Sequence, residues 1–303
     1  MFFKQCFCRN TDMPILVCIP AFNEERVIDK VIKNCQKYAD KVVVCDDGSS
    51  DNTSKIAISC GAELIRHSKN SGKGAAMKSL FNYAKDHNAE LVVMIDGDGQ
   101  FKANEIPLLI KPILNGSDIV IGNRFGKDSK MPNYRMLGNK VLDKITNIAA
   151  DLPFEDTQSG FRSYSKKAIN SISIQSDGFG SDAEILVNAA QKNLKITDIP
   201  VSVLYDIGTK TSTKNPISHT TEVVISLIEL ISIKRPLSYL GIPGIVIFAM
   251  GIIFSIIVIT LFNETRYFSV PYMLLTIGSF TLGLILIMMS VLLFSINNSN
   301  KQK

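Results

Sequence analysis

Two aspartates one residue apart, Asp96 and Asp98, end the apolar run Val92-Val93-Met94-Ile95. Read as a buried parallel strand, that run carries both carboxylates to the carboxyl edge of a sheet, where open α/β folds keep their ligands. Hard oxygen donors so placed suit Mg²⁺ or Mn²⁺, cations that keep several waters and share the phosphates of a nucleotide. Alone, an Asp-x-Asp is equally well a solvated polar turn. Three more polar clusters change the weighing: Pro20 to Glu24, Asp46 to Ser49, and Asn70 to Lys73 each follow a strand-like run and precede a helix-like one, as Asp96 to Gln100 does. A sheet built that way gathers all four on one rim. Carboxylates, a lysine beside glycines (Gly72-Lys73-Gly74) and helix N-termini together suit a nucleoside diphosphate. The spacing is not that of a Walker P-loop, and the Gly-x-Gly-x-x-Gly of dinucleotide folds is missing.

The elements that must position these residues alternate along the chain. Ile15 to Ile19 is strand-like, and Val27, Ile28, Val31, Ile32 and Cys35 mark one face of the following helix. Val42 to Cys45 forms the next strand, and Asp46 to Thr53 is a turn-rich stretch that caps another helix. A short strand at Leu64-Ile65, a helix from about Ala75 to Asp86, a strand over 91–95, a helix over 104–114 and a strand over 119–121 continue the pattern. Repeated β-α units predict a mainly parallel sheet with right-handed crossovers.

The chain has 303 residues and 46% hydrophobic content, enough for one substantial domain plus something smaller. A net charge of +5 with no basic arm or stripe argues against nucleic acid, while mild basicity helps near anionic lipid. All six cysteines (Cys6, Cys8, Cys18, Cys35, Cys45 and Cys60) fall in the first 60 residues without a Cys-x-x-Cys pair. Cys18 and Cys45 read as small core residues in a reducing compartment, and Cys6-x-Cys8 has no partner cluster that would make it a metal site. The first residues lack the apolar core of a signal peptide, so this end is expected to stay in the cytoplasm. His67, His87 and His219 show no metal-ligand spacing and read as ordinary surface or loop residues.

Pro20-Ala21-Phe22-Asn23-Glu24-Glu25, Asp46-Asp47-Gly48-Ser49 and Asp96-Gly97-Asp98-Gly99-Gln100, in that order, resemble the motifs of inverting family 2 glycosyltransferases of GT-A fold. More closely, the chain is similar to the dolichyl- and polyprenyl-phosphate mannose and glucose synthases. The likeness continues through Ile121-Gly122-Asn123-Arg124-Phe125, Asp156 to Arg162 and Gly178 to Glu184, and covers about residues 14 to 212. The resemblance implies that Pro20, Asn23, Glu24 and Asp47 hold the donor's base and ribose, with Asp46 supporting that loop and Lys73 near it. It implies that Asp96, Asp98 and Gln100 hold the metal and diphosphate, and it gives Asp156 and Asp182 acceptor-side catalytic roles, a base among them. A phosphate acceptor is already largely anionic at neutral pH, so it needs a base less than a sugar hydroxyl would. It needs positive charge instead, for which Arg124, Arg135, Arg162 and Lys210 are the candidates, with Lys214 as a substitute for Lys210. Arg135 begins an amphipathic segment marked by Leu137, Val141, Ile145 and Ile148.

The remainder of the chain sets the subclass. Residues 213–236 read as an amphipathic interfacial helix carrying Val223, Val224, Leu227, Ile228 and Ile231, and ending at Lys234-Arg235-Pro236. Two uncharged apolar runs, about 242–262 and 272–296, are long enough to span a bilayer, and Asn263 to Ser269 is the polar connection between them. Gly244, Gly251, Gly278 and Gly283 allow close helix packing without a Gly-x-x-x-Gly. Lys234, Arg235, Lys301 and Lys303 outnumber Arg266 in the connection, which places the catalytic domain and both termini on the cytoplasmic side. The sequon Asn263-Glu264-Thr265 lies too near the bilayer to carry weight.

The sequence therefore predicts an N-terminal extension (1–13), a GT-A α/β catalytic domain (14–212), the interfacial helix (213–236) and a two-span hairpin with a short tail (237–303). The predicted activity is transfer of one sugar from UDP-glucose, another UDP-sugar or GDP-mannose to dolichyl or polyprenyl phosphate, with Mg²⁺ or Mn²⁺. Membrane lipid is the expected partner, and the sequence leaves room for a homo-oligomer. Alternatives are a processive polysaccharide synthase, which would carry a Gln-x-x-Arg-Trp element where this chain has no Trp, and a non-catalytic subunit that binds sugar nucleotides.

Overall fold

The computed structural model describes residues 13–125, 140, 143, 146, 147, 153–174, 181–204 and 236–301. The chain divides into two units, Met1–Leu227 and Ile228–Lys303. The interfacial helix expected over 213–236, and the expected boundary at 212, fall almost wholly outside the described residues.

In the first unit, β1 (Ile15–Ala21), α1 (Ile28–Cys35), β2 (Lys41–Asp46), α2 (Thr53–Ser59), β3 (Glu63–Arg66), α3 (Lys73–Asp86) and β4 (Leu91–Met94) follow the expected alternation. A 3₁₀ turn at Ala103–Glu105 leads into α4 (Ile106–Leu114), and β5 (Ile119–Asn123) follows. Then come β6 (Arg162–Ser165), α5 (Lys166–Ser171), α6 (Ser181–Gln191) and β7 (Ile196–Pro200). The strands lie in the order β3-β2-β1-β4-β6-β5-β7. All run parallel except β6, which is antiparallel to both β4 and β5.

Because both faces of the sheet are covered, its strands alternate between two cores rather than between core and solvent. Ile15, Val17, Ile19, Val42, Val44, Leu91 and Val93 pack on one side with α1 and α4. Leu16, Cys18, Val43, Cys45, Val92 and Met94 pack on the other with Met77, Leu80 and Phe81 of α3 and Ile185 and Ala189 of α6. Cys18, Cys35 and Cys45 are buried free thiols, as their apolar surroundings lead one to expect, and burial pushes the last two up to about 12. β6 escapes a search for apolar runs because its residues, Arg-Ser-Tyr-Ser, are polar although Arg162, Ser163 and Tyr164 are fully buried.

In the second unit a π turn (Leu237–Gly241) leads into α7 (Ile242–Thr265), and α8 spans Val270–Lys301. Leu237–Thr265 and Val270–Ile296 are long and apolar enough to cross a membrane. The helix runs past the expected stop at Asn263, because Asn, Glu and Thr are tolerated in helices. It ends at Arg266, whose left-handed backbone (φ 54°) caps α7 with its N–H on Phe262 O at 2.9 Å. Three of the four glycines serve the helix contact. A Cβ on Gly283 would lie 2.7 Å from the backbone N of Phe248, one on Gly244 3.0 Å from that of Ile287, and one on Gly251 3.0 Å from the Phe280 ring. A Cβ on Gly278 meets nothing within 4 Å, so this glycine lies off the seam. Gly283→Leu should therefore force the helices apart at a cost of about 1–3 kcal/mol, read as a lower melting temperature in detergent, while Gly278→Leu leaves it unchanged. Equal effects at the two positions would contradict the seam.

Candidate functional site at the carboxyl rim of the sheet

The loops that follow β1, β2, β3 and β4 meet on one rim, and they are stitched to one another by hydrogen bonds. Asn23, in a left-handed conformation (φ 57°), donates its N–H to Ser49 Oγ at 2.9 Å and accepts from Ser50 N at 2.9 Å through Oδ1. Glu24 N donates to Thr53 Oγ1, also at 2.9 Å. Asp46 is fully buried: it accepts from Ser49 N at 2.9 Å and from Ser54 Oγ, and so shapes its own turn. Gly48 is obligatory there, since its φ is 72° and a Cβ would stand 2.4 Å from the Lys69 carbonyl carbon. Pro20 is buried in β1, with its carbonyl oxygen only 3.0 Å from where a Cβ of Gly97 would lie.

Asp96 and Asp98 emerge just beyond β4. Lys73, the first residue of α3, bridges Asp96 Oδ1 at 3.1 Å and Asp182 Oδ2 at 3.2 Å. Burial opposes the lysine's charge, yet Asp182 and Asp96 outweigh it and hold Lys73 above the usual lysine range. Asp98 accepts from the backbone N–H of Gln100 at 3.0 Å. Burial and the charge of Asp96 push Asp98 up to about 6, and burial with Asp98, Asp51 and Asp96 pushes Glu24 up to about 7. Among the described residues of this cluster, the carboxylates of Glu24, Asp96, Asp98, Asp156 and Asp182 outnumber the cations Lys73, Arg124 and Arg162. An excess of crowded carboxylate oxygens fits a hard divalent cation. Among the described residues no three His, Cys, Asp or Glu side chains converge to hold a metal by themselves. That matches a Mg²⁺-type ion, which takes one or two carboxylates and completes its shell with phosphate oxygens and water.

Arg124 and Asp156 form a two-point pair: Nε to Oδ2 at 2.8 Å and Nη2 to Oδ1 at 2.6 Å, with the Arg124 backbone N–H adding 2.6 Å to Oδ2. Asp156 is fully buried and left-handed (φ 58°). Asp143 accepts from the backbone N–H groups of Asp156 and Thr157 and from the Thr157 hydroxyl, at 3.2, 2.6 and 2.7 Å. The Asp156 carboxylate, expected on the acceptor side, is taken up by Arg124. Arg162, expected at the acceptor phosphate, is fully buried and donates to the carbonyls of Thr157 (2.6 Å) and Asp182 (3.0 Å), with its Nη2 3.8 Å from Asp182 Oδ1. Its charge serves the interior because β6 starts at Arg162 and carries the side chain under the rim. Asp182 is likewise enclosed, 3% exposed between Lys73 and Arg162. Arg135, Lys210 and Lys214 lie outside the described residues.

The sequence also gave no weight to three residues that build the site. Gly160 packs so tightly that a Cβ would lie 2.2 Å from Asp96 Oδ2. Asp143 pins the Asp156 turn, and His67 binds Asp47 through Nδ1 at 2.7 Å. The position of His67 just past the carboxyl end of β3 was the one available signal for it.

A family model described as "Glycosyl transferase family 2" matches residues 16–173. "Glycosyltransferase AglJ" of Haloferax volcanii is 30% identical over 248 residues, 79% of this chain and 80% of that protein. The "UDP-N-acetylglucosamine--dolichyl-phosphate N-acetylglucosaminyltransferase" of Methanococcus voltae is 31% identical over 218 residues, covering 64% of this chain and 87% of that one. Among solved structures, glucosyl-3-phosphoglycerate synthase from Mycobacterium tuberculosis, in complex with Mn²⁺, UDP and phosphoglyceric acid, superposes with a TM-score of 0.56 at 20% identity. It covers 73% of this chain and 79% of that one, and the likeness is one of fold.

Gly160→Ala should leave the fold in place, because the atom it meets ends a side chain that can swing aside, but it should displace the Asp96 carboxylate. The expected result is Mn²⁺ binding weakened about tenfold in calorimetry, with the melting temperature near that of the unaltered protein. Unchanged Mn²⁺ affinity would remove Asp96 from the cation site.

Proposed function

The chain belongs to glycosyl transferase family 2 and is a glycosyltransferase, and on that premise we propose that it transfers a single sugar, with inversion, from a nucleotide-sugar donor to dolichyl or polyprenyl phosphate at the cytoplasmic face of a membrane. The observation that carries this reading is the carboxylate pair Asp96 and Asp98 at the sheet rim, crowded with Glu24. The relative named for transfer to dolichyl phosphate and the two apolar helices support the lipid acceptor. The chain's mild basicity suits an anionic membrane surface.

An oxygen of the acceptor phosphate attacks the anomeric carbon from the face opposite the leaving group. The bond from that carbon to the diphosphate breaks, and the nucleoside diphosphate leaves with the electron pair. A phosphate nucleophile arrives deprotonated, so no side chain has to take a proton from it. When bound to Asp96 and Asp98, a divalent cation neutralises the charge that grows on the departing diphosphate. Lys73 sits beside Asp96 and adds a fixed positive charge to the same place. Arg124, held in one orientation by Asp156, lies close enough to Asp98 to affect its charge and is the described cation best placed for the acceptor phosphate. On this reading Asn23, Glu24, Asp46 and Asp47 form the donor nucleotide side, as the stitching of their loops supports.

Four measurements test this. Purified protein given a panel of UDP- and GDP-sugars with a short polyprenyl phosphate should form lipid-linked sugar and should leave the matching polyprenol unmodified; equal use of phosphate and alcohol would overturn the acceptor assignment. Asp98→Asn should lower turnover at least about 1,000-fold, and excess EDTA should abolish it; full activity in either case would remove the metal role. Arg124→Lys keeps the charge but loses the fork, and should cost about tenfold or more in acceptor kcat/KM with donor KM unchanged. Cysteine labelling of sealed vesicles should place position 265 on the side opposite positions 49 and 303, and all three on one side would rule out a two-span hairpin.

A further inference from the structure

Asp47 is one of the residues read above as part of the donor side, and its carboxylate is held by three groups. Oδ1 receives His67 Nδ1 at 2.7 Å and the Ser71 N–H at 3.0 Å; Oδ2 receives the Gly72 N–H at 2.7 Å, with Ser71 N 3.2 Å away. Gly72 is the N-cap of α3 and has no capping side chain of its own, so Asp47 supplies the negative group that the start of this helix favours. Lys73 is the next residue. The orientation of the Asp47 carboxylate therefore sets where α3 begins and, with it, where Lys73 stands relative to Asp96 and Asp182.

His67 is itself fixed from several sides. Its backbone N–H donates to the Asp46 carbonyl at 2.9 Å, and its Nε2 faces Ser79 Oγ at 2.8 Å, further along α3. Because a carboxylate can only accept, Nδ1 carries a hydrogen, while Nε2 is within hydrogen-bond distance of the Ser79 hydroxyl and 3.7 Å from the Cys45 thiol. Ser79, His67 and Asp47 share the connectivity of a hydrolase triad. The resemblance ends at Ser79, which lies inside a helix whose N–H groups are spent on preceding carbonyls, leaving no pair of donors for an oxyanion. The relay thus has a different use. We infer that His67 is a positioning residue that fixes the Asp47 carboxylate and, through Ser79, fastens it to α3, so that the donor-side loop after β2 and Lys73 keep one geometry.

This inference rests on the donor-site reading of Asp47, and the test separates the two. Nucleotide binding is measured by calorimetry with Mn²⁺ and UDP or GDP, together with steady-state transfer, on the full chain and on His67→Leu, His67→Asn and Ser79→Ala. His67→Leu should weaken nucleotide binding and raise donor KM about tenfold, while acceptor KM stays within about twofold. His67→Asn places an amide N–H where Nδ1–H stood and should recover most of that loss. Ser79→Ala, which frees the tautomer but keeps the His67 to Asp47 bond, should cause a smaller change of the same sign. Asp47→Asn combined with His67→Leu should bind no more weakly than Asp47→Asn alone, since His67 acts through that carboxylate. Wild-type nucleotide affinity in His67→Leu would overturn the inference, as would equal losses in donor and acceptor kinetics in both His67 variants. An unaltered protein that binds neither nucleotide would overturn the donor-site reading and this inference with it.

Discussion

A charge half withdrawn from water must have company, and Lys73 meets that requirement by standing between Asp96 and Asp182, both about 3 Å away. The rest of the rim follows from it. Asp182 needs a second neighbour and has Arg162, which is itself buried and must spend its N–H groups on the carbonyls of Thr157 and Asp182. Thr157 belongs to the turn that Asp143 holds, and the same turn presents Asp156 to Arg124. Buried ion pairs contribute little net stability once their desolvation is counted. Their value here is positional: each carboxylate and cation has one low-energy place, so the site is formed before any ligand arrives.

The single reversed strand explains how groups distant in sequence reach the same rim. In a parallel strand the last residue lies at the carboxyl edge, as Met94 does in β4. β6 runs the other way and pairs Arg162, its first residue, with Met94. The residues just before β6, including Gly160, are thereby set against Asp96, and a side chain at position 160 would occupy the carboxylate's space. A parallel strand in this slot would have brought Ser165 to the rim instead.

This is also the boundary of what the sequence discloses. Loops after β1, β2, β3 and β4 were legible because apolar runs of strand length gave the strands away and the polar residues after them fell on one edge. The hairpin was legible for a related reason, since two long uncharged runs have few other uses. β6 was not legible as an element: Arg162, Ser163 and Tyr164 are polar in type and buried in fact, and nothing local marks direction in a four-residue strand. Arg162 therefore reads as a cation for the acceptor phosphate until the fold shows it facing inward. His67 failed in the opposite sense, because a lone histidine in a loop carries no periodicity, and its partners Asp47 and Ser79 lie 20 residues before it and 12 after it.

The charge balance has one further consequence for how the ligands must arrive. Among the described residues, the carboxylates Glu24, Asp96, Asp98, Asp156 and Asp182 outnumber the cations Lys73, Arg124 and Arg162, and burial sharpens the repulsion enough to push Asp98 and Glu24 upward. A nucleoside diphosphate would add two or more negative charges to that surface, where Lys73 is already shared between Asp96 and Asp182 and offsets only part of them. On the proposed reading of this site, donor and divalent cation should favour each other's binding, each supplying charge the other needs. By reciprocity that coupling would be of equal size in both directions. The crowding of carboxylates at Glu24, Asp96 and Asp98 would then make donor binding conditional on the metal.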